Sequence, residues 1–275
     1  MFRSMRTIVI YSNCQCRGIQ AVLELFLNSV GEQAEFHLME NYKLIEEQVV
    51  IDRDLLARAD VFIYQPIDPR YGALSTDFLR SLLAPHCVQI AFPYVYNSAY
   101  WIFYLEGFGF RGADIIHTLK EKGIGLETVL QLFYQKRLDF GLEQRFADSI
   151  AMLQQKERLC DVKASDFILA NYRKHKLFLT QNHPSTAVYV HLVNQMLIIL
   201  GYGCIIEDPF SLPENVAGLR GNWPHSTYEF DVHRFQFAAT CNNHFYASNI
   251  VKIYKGLDPS PYYDAFAEER PFPGT

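Results

Sequence analysis

Residues 12–18, SNCQCRG, place two cysteines where a β-branched run gives way to a helical pattern. A thiol in such a strand-to-helix turn lies near the positive end of a helix dipole and near unpaired backbone N–H groups, and both favour thiolate. The same N–H groups can hold an oxyanion. Cys14 falls at the tip of the turn and Cys16 in the first helical turn, so Cys14 is the candidate nucleophile. Two small residues packing a tight turn would have the same spacing. A lone C-x-C supplies two ligands, and no partner pair with zinc-like spacing follows, so no metal is expected.

The second candidate is His183 in QNHPS, again directly after an expected strand. Taken alone it reads as a helix cap, with Pro184 in the first helical turn and Asn182 or His183 at the cap position. In a parallel sheet, however, the carboxyl ends of different strands share one edge. A thiol after the first strand and an imidazole after a later one can therefore meet, at an expected separation of roughly 3–5 Å. Asn13, Gln15, Gln65, Asn97 and Asn182 fall on the same expected edge, where side-chain amides can stabilise a tetrahedral oxyanion or bind substrate. Turn chemistry accounts equally well for the asparagines. Gln65 is the strongest of the set, because glutamine has no turn preference. Arg17, Arg70, Arg173, Lys174 and Lys176 are candidates for phosphate groups, Arg17 foremost because it lies beside a helix N-terminus, while the YRKHK group reads more readily as a solvated helix end. The aromatic run at 92–104 is read as core, with a wall lining an acyl or sugar site as the alternative.

These residues need a scaffold. Strands are expected at 7–11, 60–64, 88–92 and 176–180, and helices after residue 18, around 53–58, 74–83 and 186–200, the last ended by Gly201 and Gly203. Residues 113–175 read as an all-helical insertion. The fold class is thus α/β, a three-layer parallel sheet with helices on both faces, whose ligand sites belong at the carboxyl ends of the strands. That rule selects 12–16, 65–71, 93–98 and 181–185. One domain spanning 1–275 is expected, with 208–275 unassigned apart from a helix near 246–254.

Composition excludes several classes. The chain has 25 Lys and Arg against 30 Asp and Glu, a net charge of −5, and no basic block beyond YRKHK at 172–176, so the footprint of a nucleic-acid binder is missing. Hydrophobic residues make up 49% and charged residues 20%, which excludes a disordered chain. Six cysteines would suit disulfides, but the opening MFRSMRTIVIYS lacks the apolar stretch of a secretory signal. The uncharged stretches 81–105 and 177–206 are interrupted by Pro, Asn, Gln and His and do not read as membrane spans. A cytoplasmic protein is expected, and the oligomeric state is not legible.

At NCQ (13–15), Gln65, QQKERLCDVKASDFI and LFLTQNHP (177–184), the sequence resembles the WcbI-type polysaccharide-biosynthesis family, whose members resemble SGNH-type hydrolases and acyltransferases. The match runs in order from about residue 6 to residue 203. The resemblance implies binding of coenzyme A or acetyl-CoA and O-acetyl transfer to a sugar or glycan acceptor in capsular or other surface polysaccharide. It supports Cys14 and His183 as the reactive pair; no matching motif marks the residues at the cofactor, for which Arg17, Arg70 and Tyr71 are the expectation. SGNH enzymes use serine and an Asp three residues before the histidine; here Cys14 and Thr180 stand at those places. A Cys–His thioesterase, and a non-catalytic module binding coenzyme A or a nucleotide sugar, are the rival readings.

Overall fold

The run at residues 7–11 forms an inner strand of a parallel sheet in the computed structural model, which describes residues 5–47, 50–106, 109–218 and 243–257. Strand β1 (Arg6–Ser12) lies between β2 (Ala34–Glu40) and β3 (Val61–Tyr64), and β4 (Val88–Ala91) pairs with β3. All pairs are parallel, with Ile10 opposite Ile63 and Ile63 opposite Ile90. The inner strands are closed off on both faces, which is why they read as continuous apolar runs: Val9, Ile10, Phe62 and Ile63 are all fully buried. Val9, Tyr11, Phe62 and Tyr64 share a cluster with Leu55 and Leu56 of α3 (Arg53–Arg58) and Leu79 of α4 (Thr76–Arg80). Helix α1 (Cys16–Ser29) packs against β1, β2 and α9 (Thr186–Ile199). The fold is α/β, a four-stranded parallel sheet flanked by helices.

Two expectations about the strands need correction. β2 is a strand the sequence reading missed. It is an edge strand of sequence AEFHLME, mostly half-buried, so neither strict alternation nor an apolar run marks it. Conversely, the stretch at 176–180 contributes only β7 (Phe178–Thr180), which is not a member of the parallel sheet. The sheet order β2-β1-β3-β4 places the reversal of winding between β1 and β3, and a ligand crevice belongs at their carboxyl ends.

Contacts within the chain form two compact units. The first holds Met1–Tyr96, Ala151–Asn171 and Asn182–Leu219, and so contains the sheet, α1 and α9. The second takes in Asn97–Ile150 and Tyr172–Gln181, with the helix Asn243–Tyr254 beyond them. The stretch read as a helical insertion does form helices: α5 (Asp114–Glu121), α6 (Leu126–Tyr134), α7 (Leu142–Glu157) and α8 (Ser165–Asn171). Within the second unit the aromatic run is largely core. Trp101 and Phe103 are fully buried, and Tyr100 stands edge-on to Trp101 and Phe146. The Arg145 guanidinium donates to the carbonyls of Ser98, Trp101 and Ile102, tying down the segment that precedes the antiparallel strands Tyr104–Glu106 and Gly109–Arg111. Of the unassigned stretch at 208–275, residues 219–242 and 258–275 lie outside the described residues, and Asn243–Tyr254 is helical.

One close approach fixes α1 against α9. A Cβ placed on Gly18 would sit 2.3 Å from Cζ of Tyr189, whose ring is 2% exposed and has nowhere to turn. Gly18→Ala is therefore expected to cost about 1–3 kcal/mol or more by overpacking. Urea melts of the two proteins check this, and a change below about 0.5 kcal/mol would show that the helices separate freely. Helix α9 ends as its sequence announces: Gly201 takes φ +82°, and the Tyr202 amide donates to the Leu197 carbonyl at 2.9 Å.

Candidate active site

The carboxyl edge of the sheet collects the residues that follow its strands: Asn13 after β1, Asn41 after β2, Gln65-Pro66 after β3 and Pro93-Tyr94 beyond β4. Cys14 is held at the tip of the first turn. The Asn13 amide N–H donates to Gln65 Oε1 at 3.2 Å, and the Gln15 N–H donates to Asn13 Oδ1 at 3.0 Å. The thiol thus projects from a turn anchored on both sides. His183 arrives from the opposite end of the first unit's sequence. Its Nε2 lies 3.2 Å from Cys14 Sγ, within the expected range, and Asn182 Nδ2 lies 3.8 Å from the same sulfur. The helix-cap reading of His183 is corrected by the backbone: Ser185 is the N-cap of α9, and Pro184 precedes the helix instead of opening it. Two residues ahead of the cap, the imidazole is not committed to capping and faces the thiol.

Burial, then the Glu40 carboxylate, pushes the Cys14 thiol up to about 11; its own backbone N–H and Arg17 pull weakly the other way. The expectation of a thiolate favoured by the helix end is therefore corrected. Most of the first-turn N–H groups are already spent on carbonyls of the turn, Cys16 to Asn13, Arg17 to Cys14 and Gly18 to Gln15, so little of the helix field reaches the sulfur. Iodoacetamide labelling of Cys14, followed by peptide mass spectrometry, should accordingly climb about tenfold per pH unit from pH 7 to 10. A rate that is flat across pH 6–9 would reveal a thiolate–imidazolium pair instead.

The amides divide into two groups. Gln15 is buried and fully bonded: Nε2 donates to the Val95 and Asn182 carbonyls at 2.6 and 2.8 Å, while Oε1 accepts from Gln65 Nε2 at 2.9 Å and from the Val95 N–H at 3.2 Å. Gln65 spends its own amide on Gln15, on Asn13 and, at 3.5 Å, on the Pro93 carbonyl. Neither is left to stabilise an oxyanion. Both were placed on the correct edge, but their work is to join strand ends. Asn13 and Asn182 flank the thiol directly. Asn97 belongs to the second unit, where its Oδ1 accepts from the Ala99 N–H at 2.9 Å.

The basic candidates separate as well. Arg17 Nε donates to Glu40 Oε1 at 2.7 Å, and Glu40 also pairs with Lys43 and accepts from the Tyr42 hydroxyl. Burial would raise the Glu40 carboxyl, but the hydrogen bonds from Arg17 and Lys43 outweigh it and hold the group below its usual range. Arg70 and Tyr71 lie on the 3₁₀ turn Pro69–Leu74 and engage each other, with the guanidinium 5.1 Å from the ring centroid. Among the described residues they bond neither to Cys14 and His183 nor to Arg17. Glu40, Lys43 and Tyr42 were missed by sequence reading because the strand that ends at Glu40 was missed.

A cavity of about 270 Å³ opens on this edge, lined by Asn13, Asn41, Gln65, Tyr94, Lys156 and Cys160 among others. Among the described residues no group of three or more His, Cys, Asp or Glu side chains is placed to hold a metal, and no helix is long and apolar enough to cross a membrane.

Comparison with known proteins follows this geometry. A family model described as polysaccharide biosynthesis enzyme WcbI matches residues 7–203. A solved structure of WcbI, described as a novel polysaccharide biosynthesis enzyme in its native form without a disulfide bond between coenzyme A and its own Cys14, is similar to this chain with a TM-score of 0.65. The two are 19% identical, and the match covers 97% of this chain and 96% of that one, so the likeness is one of fold. No curated protein matches.

Proposed function

The chain belongs to the WcbI family of polysaccharide biosynthesis enzymes, and from that premise we propose that it transfers an acetyl group from acetyl-CoA to a hydroxyl of a sugar or glycan through Cys14 and His183. The observation that carries the reading is the 3.2 Å approach of His183 Nε2 to Cys14 Sγ at the mouth of the sheet. That the solved WcbI is described with respect to a disulfide between coenzyme A and its Cys14 supports coenzyme A as the thiol ligand here.

A thiol with a pKa of about 11 keeps its proton at neutral pH, so His183 acts as general base. As sulfur attacks the acetyl carbonyl, Nε2 takes the thiol proton. The tetrahedral oxyanion forms beside the Cys14 backbone N–H and the Asn182 amide, the nearest donors. Coenzyme A leaves with the proton from His183. The acceptor hydroxyl then attacks the acetyl thioester while His183 takes its proton, and Cys14 recovers that proton as it leaves.

The direct test is ligand-dependent stability. Coenzyme A at 100 times its dissociation constant should stabilise the protein by about 2.7 kcal/mol, seen as a rise in melting temperature. No shift at millimolar concentration would remove coenzyme A, and with it this reaction.

A further inference from the structure

The cavity beside Cys14 has a chemistry of its own. Among the described residues its walls are neutral but for one group, Lys156, near the end of α7. The ammonium stands over the ring of Tyr94, another wall, at 4.6 Å from the centroid. Among the described residues no carboxylate pairs with it. Glu157 next to it in sequence is turned away, accepting from the Ala164 and Ser165 amides and the Ser165 hydroxyl. Asp161 is spent on the Ala91 amide. Burial lowers the Lys156 pKa, with no carboxylate to raise it again. A half-buried ammonium held by a ring face and lacking a counter-ion is an incomplete arrangement.

Size says what completes it. A cavity of 270 Å³ is roughly 8 Å across if spherical, the scale of one pyranose ring and at the small end for ligand sites. Asn13, the neighbour of Cys14, lines it, and so does Gln65, whose Oε1 anchors the Asn13 amide. Coenzyme A does not fit the charge: with its sulfur at Cys14, its nearest phosphate lies roughly 15 Å away along an extended arm. An anion that meets Lys156 in the cavity lined by Asn13, the neighbour of Cys14, therefore belongs to the acceptor.

We propose that the Asn13–Tyr94–Lys156 cavity is the acceptor subsite and selects a sugar residue bearing one anionic group, a carboxylate or a phosphoryl ester, which pairs with the Lys156 ammonium while a ring hydroxyl faces Cys14. This rests on the acyltransferase reading and gives it a substrate class. The amides of Asn13 and Asn41 offer the neutral hydrogen bonds a sugar ring requires.

The test is binding of glucuronate, glucose 6-phosphate and glucose to the full chain, measured by calorimetry or ligand-observed NMR with coenzyme A present. The anionic sugars should bind about ten- to a hundredfold more tightly than glucose, the value of a charge-assisted hydrogen bond. Whichever of the two binds better distinguishes carboxylate from phosphoryl ester. Lys156→Met, which keeps the stem over Tyr94, should abolish the preference, and Lys156→Arg should retain much of it. The coenzyme A melting shift should survive in both variants. Equal binding of glucose and the acids by the unmodified protein would overturn the proposal, as would a preference that survives Lys156→Met. Loss of the coenzyme A shift in Lys156→Met alone would assign the cation to the donor and overturn it too. Failure of the coenzyme A shift in the unmodified protein strikes the acyltransferase reading itself, so the two failures are distinct.

Discussion

Cys14→Ser will lower acetyl-CoA turnover by about 10²–10⁴-fold, and Cys14→Ala will do no better. A serine hydroxyl at position 14 would meet His183 with no acid behind it at Thr180, three residues before the histidine, and a hydroxyl is far less willing than a thiol to surrender its proton to an imidazole. His183→Ala should lose a similar factor, because a thiol held at about 11 stays protonated without a base at 3.2 Å. The double variant should be little worse than either single one, since the pair acts as a unit. Incubation with acetyl-CoA and no acceptor should leave one acetyl group on Cys14, read by mass spectrometry. If Cys14→Ala retains activity within about tenfold and no adduct forms, transfer is direct and His183 alone activates the acceptor.

The second large effect is on stability. Gln15→Leu removes the side chain that joins the turns after β1, β3 and β4 to Asn182. It takes the Gln15 bonds away from the Val95 carbonyl and amide, the Asn182 carbonyl and the Gln65 amide, the last keeping only the 3.5 Å bond to the Pro93 carbonyl. Each such buried group costs about 1–3 kcal/mol when unsatisfied, so even with some water entering a loss of roughly 3–5 kcal/mol is expected. That is a drop of about 10 °C in melting temperature for a chain of this size. Leucine is similar in bulk, so a cavity cannot account for the change. A loss below about 1 kcal/mol would mean that the strand ends hold themselves and the glutamine merely fills space.

The parts of the fold that local pattern specifies were legible. The inner strands β1 and β3 and the outer strand β4 carry β-branched or aromatic runs, α9 has its terminating glycine, and the stretch at 113–175 carries the helical patterns of α5 to α8. The position of Cys14 follows from the strand-turn-helix sequence; His183 reaches the sulfur although β7, the strand before it, lies outside the parallel sheet, so the meeting was expected for a reason the fold does not supply. β2 was hidden because an edge strand with one solvated side has a mixed pattern, and with it went Glu40 and the carboxylate that raises the thiol. Gln15 and Gln65 were assigned to chemistry because nothing within a few residues of either reveals its partner; their bonds span 50 and 80 positions, which sequence spacing does not express. Lys156 went unremarked for the same reason, since a helix-end lysine normally sits in water and only the tertiary fold sets it over Tyr94.

The distance in sequence between the two halves of the reactive pair has a consequence for the life of the chain on the ribosome. Cys14 and His183 are separated by 169 residues, and the sulfur's surroundings draw on Gln65, Val95 and Asn182 in turn. Contacts of such high order form late in folding. During synthesis the thiol therefore emerges early and remains an ordinary exposed cysteine, near its usual pKa and open to oxidation. It is shielded only when residue 183 has left the exit tunnel and the sheet has closed. On the reaction proposed above, chains that stop short of α9 carry the thiol without the imidazole that would activate it, so incomplete synthesis yields a protein that can be oxidised but cannot take up an acetyl group.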